Sequence, residues 1–142
     1  LWAGAGFNVK AFADIDQMVW EKFLCNVTVS APTAAFDVTV GELMANPEAW
    51  LVALGCTMEA YRLGVAKGVK FKFEDPLQYV TDFARTIPDV SPSMRLYHIA
   101  HKPSEVDVIN GQVVELSREL GLATPYNETL CAIIRQRESR FA

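Results

Sequence analysis

Two histidines and three cysteines are all that these 142 residues offer to a soft metal or a disulfide framework. Cys25, Cys56 and Cys131 are odd in number and far apart, and each sits in an apolar helical pattern. Buried free thiols are therefore expected, not bridges or ligands. His98 and His101 lie three apart, a spacing that permits ligation on a helix, but no acid or cysteine completes a set, so no metal site is expected. Charge of one sign is also scarce. Thirteen basic residues stand against seventeen acidic ones, for a net charge of −4. The bases are scattered except for Arg135, Arg137 and Arg140, so no basic stripe for nucleic acid exists. Those three arginines read as the solvated end of a helix, where cations suit the dipole. No apolar run reaches bilayer length and no signal peptide is visible, so a cytoplasmic location without a membrane partner is expected. The chain begins with Leu1 and not Met, which reads as a fragment or processed form.

A dinucleotide-binding fingerprint is missing as well. Gly4-Ala5-Gly6 supplies two glycines, but Val9 takes the third position and no strand precedes them. Repeats, low-complexity stretches and convincing alternating strands are absent. Residues 69–73 alternate weakly and read as a loop. What remains is a chain with 51% hydrophobic and 21% charged residues. That composition suits one globular domain over 1–142 with a single sizeable core.

Helical punctuation organises this domain. Residues 1–13 read as an extended lead-in. A first helix is predicted over about 15–31, where Pro32 should end or kink it, with a short continuation over 33–36. Thr39-x-x-Glu42 is a capping box opening a short helix to about Ala45. Asn46-Pro47 opens a long helix to about Lys67. In it, Trp50, Leu54, Met58, Tyr61 and Val65 are expected to face the core. Asp75-Pro76 and Ser91-Pro92 start two more helices. Ser104 is expected to cap another, carrying Val106, Ile109, Val113, Leu116 and Leu120, with Gly121 as its stop. Thr124-Pro125 starts the last, to about Arg140. Six or seven helices with short connections make an all-α bundle.

The first helix is apolar over most of its circumference, which predicts burial. Yet Lys22, Asn26 and Ser30 fall at i, i+4 and i+8, one polar stripe. Two readings of this stripe remain open. It is either a narrow exposed face or a lysine paired with an acid that ties helices together, or else a lysine held in a cleft with Asn and Ser orienting a polar ligand. Burial in the second case would favour proton donation near neutral pH. Ser91-Pro92-Ser93-Met94 begins a helix whose free N–H groups suit a carboxylate, although simple capping explains it equally. Glu105 sits in a first helical turn, where acids are favoured anyway.

The order of these segments resembles one family. Trp20-Glu21-Lys22-Phe23-Leu24-Cys25-Asn26 followed by Ala31-Pro32-Thr33-Ala34 is similar to the W-x-K-x-x-x-N … P-x-T-A stretch of ketopantoate reductases. Ser91-Pro92-Ser93-Met94 resembles their S-S-M segment. Ser104 to Gly111 resembles T-E-I-D-x-I-N-G, and Thr124 to Leu130 resembles the closing P-x-N-x-x-L motif. The resemblance implies the helical C-terminal domain of these enzymes, related to the C-terminal domains of 6-phosphogluconate-type dehydrogenases. It implies NADPH-dependent reduction of a 2-oxo acid to a 2-hydroxy acid in pantothenate synthesis. Lys22 matches the general acid, Asn26, Ser30 and Ser93 substrate-binding positions, and Glu105 a contact to substrate and cofactor. NADPH would be held mainly by an N-terminal Rossmann domain of the same protein, with residues 1–13 as the linker from it, and a homodimer is open. Ser30 departs from the family's asparagine, Tyr97 from a frequent aspartate and Pro92 from the first serine. These changes leave open a paralogous reductase of another branched or bulky 2-oxo acid, or a non-catalytic helical dimerisation module. Substrate preference is expected to differ at Ser30.

Overall fold

The computed structural model describes the backbone of residues 9–141 and the side chains of residues 16–141. Seven α-helices appear: α1 (Val9–Phe36), α2 (Val40–Ala45), α3 (Pro47–Ala66), α4 (Pro76–Arg85), α5 (Ser93–Ile99), α6 (Asn110–Glu119) and α7 (Pro125–Glu138). A 3₁₀ turn (Val106–Val108) precedes α6, and no strand occurs among the described residues. The all-α bundle expected from the punctuation is the observed fold. Helix α1 touches each of the other six helices. Its Leu24, Val27, Ala31 and Ala34 meet Cys56, Ala60 and Leu63 of α3 and Leu130, Cys131 and Ile134 of α7 in the main core.

Locally encoded starts and stops hold. The capping box forms reciprocally, with Glu42 N donating to Thr39 Oγ1 at 3.2 Å and Thr39 N to Glu42 Oε1 at 2.9 Å. Asn46 Oδ1 accepts from Glu48 N and Ala49 N, and Asp75 Oδ1 from Leu77 N and Gln78 N. Each cap satisfies two of the four amides that a helix start leaves without partners. At the end of α6, Gly121 adopts φ +72° while Leu122 N reaches back to Ser117 O at 2.9 Å. The glycine supplies the left-handed residue such a stop requires.

Five expectations need correction. First, α1 already begins at Val9, so residues 9–13 are helical and not extended; the Gly4–Gly6 segment and the rest of 1–8 lie outside the described residues. Second, Pro32 lies inside α1, which runs on to Phe36. Proline withholds the N–H that would reach the Thr28 carbonyl. Around it, the Thr33 hydroxyl donates to Val29 O (2.6 Å) and Ser30 O (3.1 Å), and residues 31–34 are all buried by neighbouring helices. Tertiary packing on both sides of the proline keeps the helix going.

Third, the buried residues of α3 are Ala49, Ala53, Cys56, Thr57, Glu59, Ala60, Leu63 and Gly64. The bulky stripe packs on the core from its margin: Leu54 and Tyr61 against the main cluster and Trp50 against two smaller ones, all half-buried, while Met58 is half-buried and Val65 is 51% exposed. Small residues let α1 approach closely, and the large side chains fill the margins. Fourth, Ser104 caps no helix. Its amide and hydroxyl both donate to Glu138 Oε2, at 2.8 and 2.6 Å. A 3₁₀ turn and a break at Ile109 (φ −113°, ψ −93°) separate it from α6. Fifth, the arginines near the end are not merely solvated. Arg137 donates to the Ala34 and Ala35 carbonyls, so it caps the C-terminus of α1, and Arg135 pairs with Asp107 at 2.7 Å.

The start of α7 is held from a distance. Glu59 of α3, 1% exposed, accepts from Tyr126 N and Asn127 N at 2.9 Å each and from Asn127 Nδ2 at 2.8 Å. Asn127 Oδ1 in turn accepts from Asn110 Nδ2, which also reaches Val27 O of α1. The two motif asparagines thus join α1, α3, α6 and α7.

Glu138 closes the other end of α7. Besides Ser104, His98 Nε2 donates to its Oε2 at 2.8 Å. Burial pushes the Glu138 carboxyl up, but the hydrogen bonds from Ser104 and His98 outweigh it and hold the group below its ordinary 4.5. A carboxyl with a lowered folded pKa stabilises the fold above the ordinary carboxylate range and loses that contribution as pH falls through the folded value. Ser104→Ala should therefore raise the pH midpoint of acid unfolding, followed by far-ultraviolet circular dichroism. An unmoved midpoint would show that the clasp carries no linkage.

Candidate active site

The open polar face of α1 lies beside α4. Helical spacing sets Met18, Lys22 and Asn26 in one row, with Glu21 and Cys25 alongside. Tyr79 and Phe83, one turn apart on α4, face this row across a cleft of about 460 Å³. Lys22 is exposed and has no carboxylate partner among the described residues. The apolar burial expected around it is therefore absent, and an acid tying it to another helix is not seen. Met18 is 62% exposed and Val19 37%, so the first described turns of α1 are open, whereas residues 24–34 are buried except Asn26, as the apolar circumference predicts.

Neighbouring groups are already committed. Glu21 Oε2 accepts from Lys72 N at 2.8 Å, which ties the loop before α4 to α1. Cys25 lines the cleft but is 3% exposed. Burial pushes its thiol up to about 11, against a smaller lowering by the nearby Tyr79 hydroxyl. A thiol so shifted is a poor nucleophile at neutral pH. Cys56 and Cys131 are likewise buried and free, with burial raising both. His98 is held by Glu138, and His101 stacks on Phe141 at 5.4 Å.

The sequence-derived positions are distributed unevenly. Lys22 and Asn26 line the cleft together. Ser30, one turn further along α1, is buried at 6% exposure and is not part of the lining. Ser93 is exposed as the first residue of α5, which packs on α1. Its neighbours are anchored: Met94 is buried in the main core, and Ser91 Oγ accepts from Arg95 Nη1 at 2.6 Å. Glu105 is exposed just before the 3₁₀ turn, and its side chain makes no hydrogen bond or ion pair among the described residues. Neither Ser93 nor Glu105 lines the cleft. Tyr97 is 39% exposed. Sequence reasoning missed the aromatic wall. Its signal is present, because Tyr79 and Phe83 are i, i+4 on a well-capped helix.

Chemically, the arrangement offers an ammonium and an amide, about 6 Å apart along the helix by its rise per residue, opposite aromatic surface. That set can bind a small molecule with an oxygen-rich end and an apolar end.

Comparisons with known proteins identify the family and the fold. The family described as ketopantoate reductase PanE/ApbA C terminal matches residues 14–138. The chain is 33% identical over 135 residues to a 2-dehydropantoate 2-reductase of Pyrobaculum aerophilum, covering 94% of this chain and 48% of the relative. A dimeric ketopantoate reductase from Staphylococcus aureus superposes with a TM-score of 0.80 at 28% identity, covering 90% of this chain and 44% of that one. D-mandelate dehydrogenase, solved with NADH and anilino(oxo)acetate, shares the fold at 21% identity and a TM-score of 0.79, covering 90% of this chain and 54% of that one. The chain spans about half the length of the curated relatives it matches.

Proposed function

Because the chain belongs to the family of ketopantoate reductase C-terminal domains, we propose that it is the substrate-side half of an NADPH-dependent 2-oxo-acid reductase acting on ketopantoate. The observation that carries this is the pairing of Lys22 and Asn26 on one open cleft. The partner half is a dinucleotide-binding domain of the same protein, and the assembly is a homodimer like the Staphylococcus aureus relative. Three buried, unpaired thiols suit a reducing, cytoplasmic setting. No described helix is long and apolar enough to cross a membrane.

The residues fit a nicotinamide cofactor only as one wall of its site. Among the described residues there is no glycine-rich phosphate loop, whereas the uncommitted Glu105 carboxyl suits a hydroxyl-bearing group. When bound, the cofactor supplies hydride to the ketone carbon. The chain's own part is electrostatic and protic. As the ketone is reduced, negative charge grows on its oxygen, and the Lys22 ammonium within hydrogen-bond reach stabilises that charge and gives up a proton. The Asn26 amide donates to the substrate and fixes its orientation. Ser30 and Ser93 do not line this cleft, so the proposed substrate contacts are those of Lys22 and Asn26.

The test is turnover by the full-length protein. With ketopantoate, NADPH oxidation should proceed and exceed that with NADH. No turnover on any 2-oxo acid, together with self-association, would favour a non-catalytic dimerisation module instead.

A further inference from the structure

The cleft is divided by chemistry. Its polar groups come from α1, and its aromatic surface comes from Tyr79 and Phe83 on α4 with Met18 extending the apolar side. Tyr79 is held rigidly. Its ring stacks on Phe73 at 4.5 Å, Phe73 on Phe71 at 5.0 Å, and Phe71 packs on Tyr61 of α3 at 5.2 Å. A row of four rings thus runs from α3 to the cleft. Ring pairs at these separations are favourable beyond their burial. The Tyr79 hydroxyl lies beside the buried Cys25 thiol, on the protein side of the ring. Phe83 brings no polar atom. A ligand whose oxygens meet Lys22 and Asn26 therefore presents its remaining end to a preorganised apolar wall.

Resting on the reductase reading, we infer that Tyr79 and Phe83 determine specificity, selecting 2-oxo acids with a branched aliphatic or aryl side chain over those with a methyl group. This moves the site of substrate preference from Ser30, which is buried and outside the lining, to α4. A hydrophobic wall discriminates by the contacts it makes with each added carbon, and one methylene changes kcat/KM by roughly tenfold or more.

The experiment uses the full-length protein with NADPH and three 2-oxo acids, bearing methyl, isopropyl and phenyl side chains. The parent should prefer the isopropyl or phenyl acid. Phe83→Ala should lose about tenfold or more in kcat/KM on the preferred acid, mainly through KM, and less than about twofold on the methyl acid. Phe83→Leu, which keeps the site filled, should fall between parent and Phe83→Ala. Tyr79→Phe, which keeps the ring, should retain the preference. A parent that prefers the methyl acid overturns the inference and leaves the reductase reading standing. So do equal losses on all three acids, or an unaltered preference in both Phe83 variants. A parent with no turnover on any 2-oxo acid removes the reductase reading, and this inference with it.

Discussion

Glu59→Ala is expected to lower the unfolding free energy by about 3–5 kcal/mol, the cost of leaving several buried amide donors without their acceptor. The physical account is direct. The substitution strips acceptors from two helix-start amides and from the Asn127 side-chain amide at once. Each buried donor left unpaired costs about 1–3 kcal/mol. The negative end facing the α7 dipole is lost too. Against a typical domain stability of about 5–15 kcal/mol, this is a large fraction. Glu59→Gln keeps the volume but turns one acceptor oxygen into a donor facing a donor, so it should lose roughly half as much. Urea unfolding with an unchanged slope measures both. A shift below about 1 kcal/mol for Glu59→Ala would mean that α7 finds its cap elsewhere.

Lys22→Ala in the full-length protein should lower kcat by roughly 10²–10⁴, the usual contribution of a positioned proton donor. Stability should hardly change, within about 0.5 kcal/mol, because the side chain is exposed and unpaired among the described residues. That split separates chemistry from folding. Lys22→Arg keeps the charge but gives up protons far less readily and offers a planar fork in place of a compact ammonium. It should restore binding more than turnover. Asn26→Ala should act chiefly on KM.

What was legible in the sequence was what is decided within a few residues. The caps at Thr39, Asn46 and Asp75 and the stop at Gly121 depend only on neighbours, and each forms as read. The polar row of Lys22 and Asn26 follows from helical spacing alone. What was not legible depends on partners far along the chain. Glu59 reads as one more helical acid until α7 arrives 67 residues later. Arg137 reads as a solvated cation until the end of α1 presents two carbonyls. Pro32 reads as a stop or a kink because its cost is local, whereas the packing that offsets it is not. On α3, bulk marks the margin of the core, because close helix approach selects alanine, cysteine and glycine for its centre. The aromatic wall was overlooked because Tyr79 and Phe83 gain meaning only when α4 lies beside α1.

The central claim is that the Lys22 ammonium supplies the proton on the polar face of α1. Its most direct test is kcat of full-length Lys22→Ala with NADPH and ketopantoate, measured with and without added ethylammonium. The account predicts a strongly reduced rate that rises with the concentration of the added amine. A rate equal to that of the parent in the absence of amine would contradict it.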